Sequence, residues 1–161
     1  MNKIYASTKT YTHSQGLSCA FRQWRATHSH CQLIHGYAIQ VSFEFGCKDL
    51  DDKNWAVDFG GLSELKDWLK HTFDHTMCVA ADDPELEMFE EMEKRGIIHL
   101  RVFEHGVGCE RFAEYAFDKA QEILENKYGD RCWVNKAEVR EHEGNSAIVR
   151  RGVDSLDSPA Q

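Results

Sequence analysis

The chain has 161 residues, 42% apolar and 29% charged, with 27 acidic against 19 basic side chains and a formal net charge of −8. That length suits one domain with its own core, and no apolar run approaches the roughly 18 residues of a membrane span. The negative balance excludes a nucleic-acid backbone or an anionic membrane as principal partner, since both require a positive field.

The opening "MNKIYASTKTYTHSQG" lacks an apolar stretch followed by a small-residue cleavage site. It does not read as a signal peptide, and a cytoplasmic location is expected. Within it "KIYASTKTYTH" alternates loosely, as a strand does. "GYAIQVSFEFG" alternates strictly: Tyr37, Ile39, Val41, Phe43 and Phe45 fall on one face, Ala38, Gln40, Ser42 and Glu44 on the other. A charged loop, "CKDLDDKNW", follows. After "VDFGG", Leu62, Leu65, Trp68 and Leu69 recur at helical spacing, and "HTFDH" closes that helix. "DDPELEMFEEMEKRG" reads as a second, short helix, with acids and Pro84 at its start and Lys94, Arg95 and Gly96 at its end.

"IIHLRVFE" is a strand. "CERFAEYAFDKAQEILENKYG" carries Phe112, Ala113, Ala116, Phe117, Ala120, Ile123 and Leu124 on one stripe and stops at Gly129. "CWVNKAEVREHE" and "SAIVRR" form a strand pair around "EGN". This order predicts an α+β domain over residues 1–150, an antiparallel sheet with two main helices on one face. The polar tail 151–161 is expected to fray.

Chemistry concentrates in "THSHCQLIHGYAIQV", residues 27–41. His28, His30 and His35 supply three imidazoles, the number a catalytic zinc takes, or a solvated loop of histidines that bind nothing. Cys31, four residues before His35, is either a thiolate held beside an imidazole or a buried structural cysteine. The six cysteines (Cys19, Cys31, Cys47, Cys78, Cys109, Cys132) contain no C-x-x-C pair, so free thiols are expected. Asp74 and His75 stand at a helix end, where a carboxylate is able to orient an imidazole for proton transfer or where the two serve as a cap and a favourable charge. Glu110 sits in the first turn of the long helix and Glu141 late in a strand, ordinary places for acids.

Taken in order, "CQLIHGY", "VDFGGL", "FDH", an acid opening a long helix, and "VREHEG" resemble the pterin synthase family of the tunnelling fold. The family includes 6-pyruvoyl-tetrahydropterin synthase and 6-carboxytetrahydropterin synthase, the latter of the queuosine pathway, and the order holds across residues 16–150. The resemblance implies that Cys31 is the catalytic cysteine that moves a proton on the pterin side chain and that Asp74 and His75 relay protons with it. Glu110 and Glu141 would anchor the aminopyrimidine edge, as carboxylates accepting two parallel N–H bonds. It implies a homo-oligomer, trimer or hexamer, whose sheets join into a β-barrel with the active site between subunits.

The family also binds zinc, through three histidines. Here Phe21, in "LSCAFRQW", stands at the first ligand position and Tyr37 at the third, so only His35 is kept. A phenyl ring cannot ligate and one imidazole does not hold zinc. The expectation is a pterin lyase acting on dihydroneopterin triphosphate or a related pterin, working without zinc. Two alternatives stand beside it: a non-catalytic pterin or purine binder, and metal capture by His28, His30 and His35.

Overall fold

Strand β3, His35–Cys47, organises the sheet. The computed structural model describes residues 3–152, so residues 153–161 of the polar tail lie outside the described residues. Two strands run antiparallel to β3 in succession: β1, Tyr5–Tyr11, against its C-terminal half, then β2, Leu17–Phe21, against its N-terminal half. On the other side comes β6, Cys132–His142, and after it β7, Asn145–Arg150, joined by the two-residue turn Glu143–Gly144. The alternation read in β3 is real: Ile39, Val41, Phe43 and Phe45 are buried while the intervening residues stay partly or fully accessible.

The sheet is mixed rather than purely antiparallel. Beyond β2 lie β4, Thr76–Ala80, and β5, His99–Phe103, both parallel to their neighbours. Each parallel step is made by a crossover that carries a helix: α1, Ser63–Phe73, before β4, and α2, Leu86–Lys94, between β4 and β5. Neither β2 nor β4 stands out in the sequence. Every residue of "TMCVA" is buried, so β4 shows no alternation to read.

Helix α1 and the long helix α3, Cys109–Tyr128, cover one face. Leu65, Leu69 and Phe73 of α1 and Phe112, Ala116, Ala120 and Leu124 of α3 close the core over Phe21, Ile39, Val41 and Val139. Helix α2 lies on the opposite face of β4, where Phe89 packs with Met77 and Val79 while Cys78, between those two, belongs to the main core. No helix among the described residues is long and apolar enough to cross a membrane.

Candidate functional site

The loop from β2 to β3 is a chain of small turns. Gln23 N–H donates to the Cys31 carbonyl at 2.9 Å, Ser29 N–H to Ala26, and Leu33 N–H to His30. Ser29 caps the single 3-10 turn His30–Gln32 by accepting from the Cys31 N–H at 3.1 Å. Cys31 is the one cysteine that is not buried; the other five are, and all six are free thiols. His28 and His30 stay exposed on this loop, and among the described residues no group of three His, Cys, Asp or Glu side chains gathers around one point. The cluster of histidines in the sequence is therefore not a cluster in space.

The next step, His35-Gly36-Tyr37, needs its glycine. Gly36 lies opposite Ala20, and a Cβ there would stand 2.5 Å from the Cys19 carbonyl oxygen. This close approach presses β3 onto β2 and sets Phe21 directly across from His35. Their ring centroids are 4.8 Å apart, His35 and Tyr37 are 5.7 Å apart, and Phe21 and Tyr37 are 6.3 Å apart. Phe21, 1% exposed, also meets Phe112 of α3 at 5.2 Å. The three zinc-ligand positions of the resemblance do converge, but on a phenyl, an imidazole and a phenol. This donor set does not fit zinc: the phenyl ring is part of the core, and burial first, then the charges of Glu141, Cys31 and Cys109, raise the Tyr37 hydroxyl above its ordinary pKa and keep it protonated.

Glu141 and Cys31 are thus among the groups whose charge acts on the Tyr37 hydroxyl. Glu141 arrives there through a bulge in β6: Arg140 pairs with Ser146 and His142 with Asn145, leaving Glu141 as the extra residue. Cys109 is the first residue of α3, and burial first, then the charges of Glu141 and Glu110, pushes its thiol pKa up to about 12. Glu110 follows in the exposed first turn. Tyr37 thus feels the charges of Glu141, Cys31 and Cys109, and Cys109 those of Glu141 and Glu110. Sequence reading overlooked Cys109, whose only local signal was its place beside Glu110 at a helix start.

Asp74 and His75 sit elsewhere. Asp74 ends α1, and His75 takes φ 52, a left-handed conformation uncommon for a non-glycine residue. The turn lets two successive side chains meet: His75 Nδ1–H donates to Asp74 Oδ1 at 2.7 Å, with the imidazole 89% exposed. His75 opens onto a groove of about 850 Å³ shared with Met77, Met92 and Ile98. Thr76, Cys19 and Tyr37 lie in one row across β4, β2 and β3, so two inter-strand steps, about 10 Å, separate the start of β4 from Tyr37. His75 and Tyr37 nevertheless line the same groove, so the Asp74–His75 pair opens onto the surface that Tyr37 reaches.

Comparison with known proteins bears on the fold and the family. The model of the family "6-pyruvoyl tetrahydropterin synthase" matches residues 10–152. A 6-carboxy-5,6,7,8-tetrahydropterin synthase from Rickettsia bellii is 32% identical over 57 residues, 35% of this chain and 41% of that protein. One of the same name from Rickettsia typhi is 27% identical over 73 residues, 44% of this chain and 53% of that protein. The matched stretches thus span about half or less of those relatives. Among solved structures, an uncharacterized protein from Wolinella succinogenes superposes with a TM-score of 0.79 at 16% identity, covering 93% of this chain and 99% of that one. A 6-pyruvoyl tetrahydropterin synthase from Plasmodium vivax superposes with a TM-score of 0.68 at 16% identity, covering 94% and 99%. The fold is the tunnelling fold, and the chain belongs to the 6-pyruvoyl tetrahydropterin synthase family.

Proposed function

We propose that this chain is a pterin lyase related to 6-carboxytetrahydropterin synthase, acting on dihydroneopterin triphosphate or a related pterin without zinc at the family's metal position. What supports the proposal is membership of this family together with Cys31, Asp74, His75, Glu110 and Glu141 standing in the order of its motifs. Glu141 and Glu110 would accept the N–H groups of the aminopyrimidine edge, and Cys31 would take or give a proton on the pterin side chain. His75, oriented through its Nδ1–H by Asp74, would be the second proton carrier.

The proposal includes a homo-oligomer, trimer or hexamer, with the active site between subunits: Cys31 from one chain and Glu110, Glu141 or the Asp74–His75 pair from another. Open sheet edges favour such closure. The test is turnover of dihydroneopterin triphosphate with and without added zinc, beside metal analysis of the purified protein. Cys31→Ala should abolish turnover and leave pterin binding nearly intact, and dilution below the assembly threshold should silence the enzyme. Undiminished turnover by Cys31→Ala would end the proposal.

A second reading has one observation in its favour: Phe21, a core residue, fills the first metal position. It makes the chain a non-catalytic binder of a pterin or purine-like ring. Calorimetric binding of a pterin with no product from any pterin tested would support it.

A further inference from the structure

Gln23 touches both halves of the candidate site. Its backbone N–H donates to the Cys31 carbonyl at 2.9 Å and so closes the loop that carries the thiol. Its side chain crosses to α3. There Gly108, the residue preceding the helix, is buried and holds φ 115 and ψ 166, a region essentially reserved for glycine. The Nε2 of Gln23 occupies the place a Cβ of residue 108 would take, with its Cδ 3.4 Å and Glu110 Oε2 3.8 Å from that point. The missing side chain at 108 makes room for a carboxamide between the turn of Cys31 and the first turn of α3, and no side chain caps that helix. A carboxamide suits the place: being uncharged, it neither neutralises nor repels the Glu110 carboxylate in the first turn of the helix, whereas a second acid would repel it.

On the reading of this site as a pterin site, we propose that Gln23 is a positioning residue, a clasp that fixes the Cys31 thiol relative to Glu110 and its neighbour Cys109 on α3. The clasp ties the loop of small turns that carries the thiol to the start of α3. It also gives Gly108 its reason, since any Cβ there would evict the amide.

The test uses the full chain as Gln23→Ala, Gln23→Asn and Gln23→Glu, with three readouts. The first is the rate of Cys31 alkylation by iodoacetamide, followed by peptide mass mapping without substrate. The second is kcat and KM for a pterin, and the third the melting temperature. Gln23→Ala should change Cys31 alkylation at least about threefold and lower kcat about tenfold with KM little changed, because small misplacements of a reacting group cost up to about a hundredfold. Its melting point should stay near that of the wild type. Gln23→Asn, which keeps the amide, should fall between, and Gln23→Glu should raise KM through repulsion of Glu110. Wild-type alkylation and wild-type kcat in Gln23→Ala would overturn the clasp. If the wild type turned over no pterin, the functional reading would fall, while the alkylation rates alone would still decide for or against the clasp.

Discussion

Replacing Phe21 and Tyr37 together by histidine is expected to turn the aromatic cluster into a zinc site. Zinc holds imidazole nitrogen at about 2.0–2.1 Å, which puts ring centroids about 3.2 Å from the metal and tetrahedral neighbours about 5 Å from one another. The three rings now stand 4.8, 5.7 and 6.3 Å apart, within about one ångström of that requirement and inside the reach of small rotamer changes. His35 is already set: its Nδ1–H donates to the Leu33 carbonyl at 2.7 Å, leaving the Nε2 lone pair, as metal-bound histidines do. Without metal the double variant should be weak. Phe21 is a core residue packed on Phe112, and truncating such a ring costs about 3–5 kcal/mol, of which an imidazole restores part.

Zinc at a thousandfold excess over its Kd would return about 4 kcal/mol. For a chain of this size that raises the melting temperature by about 8–16 °C. The measurement is metal content after chelator treatment and dialysis, beside calorimetric melting with and without zinc. One equivalent and a zinc-dependent melting point are expected for the double variant, and neither for the wild type. A double variant that takes up no zinc, or a wild type that keeps one equivalent, would refute the view that this is a metal site rebuilt in aromatic side chains.

Gly36→Ala should cost about 1–3 kcal/mol, because the added methyl meets the Cys19 carbonyl and the Ala20 Cα, backbone atoms with no rotamer to yield; an unchanged denaturant midpoint would contradict this. Arg22 holds the buried Asp83 by two bonds, Nε to Oδ2 at 2.9 Å and Nη2 to Oδ1 at 2.6 Å. Burial alone would raise the Asp83 carboxyl, but Arg22 and the Glu85 N–H outweigh it and hold the pKa below the ordinary range. A depressed folded pKa means stability fully present above the unfolded value of about 3.9 and lost as pH falls through the folded one. Asp83→Asn should therefore flatten the acid limb of stability against pH, and Arg22→Ala should cost about 2–4 kcal/mol at neutral pH, both read by urea melts. Cys109, with its pKa near 12, should resist alkylation at pH 9, and Glu141→Gln should lower the pH at which it labels; labelling of Cys109 unaffected by that change would argue against their contact.

The parts of this fold that were legible are those whose pattern is local. Strand β3 alternates because one face meets the core, and α3 shows its stripe for the same reason at helical spacing. The hairpin of β6 and β7 announces itself through Glu143 and Gly144. Strand β4 was hidden because it is buried on both faces, and β2 because five residues offer too short a pattern. Parallel placement of β4 and β5 is decided by where α1 and α2 find apolar surface, which no local window reports. At the site, Cys31 was singled out only through the resemblance, while the contact of His75 with Asp74 was readable as an option that a helix end allows. The meeting of Cys109 with Glu141 was not, since it depends on a bulge that re-aims one residue at the end of β6. Nor was the role of Gln23, which joins segments far apart in sequence.

Phe21 shows why the metal position and the core are one problem in this chain. Its ring meets Phe112, which in turn meets Phe73 at 5.1 Å and Phe103 at 5.4 Å, so the aromatic core runs unbroken from α1 and β5 to the rim of the site. A histidine at residue 21 would have to present a polar ring to that array, tolerable only with a metal to satisfy its nitrogen. A phenylalanine there removes the demand and extends the core by one ring. With residue 21 apolar, a cation beside His35 and Tyr37 would lack a third donor. The phenol of Tyr37 stays neutral, held protonated by burial first and then by the charges of Glu141, Cys31 and Cys109. Phe21 and Tyr37 are thus physically coupled: the first gives its ring to the core beside His35, and the second sets a neutral phenol against the same two rings.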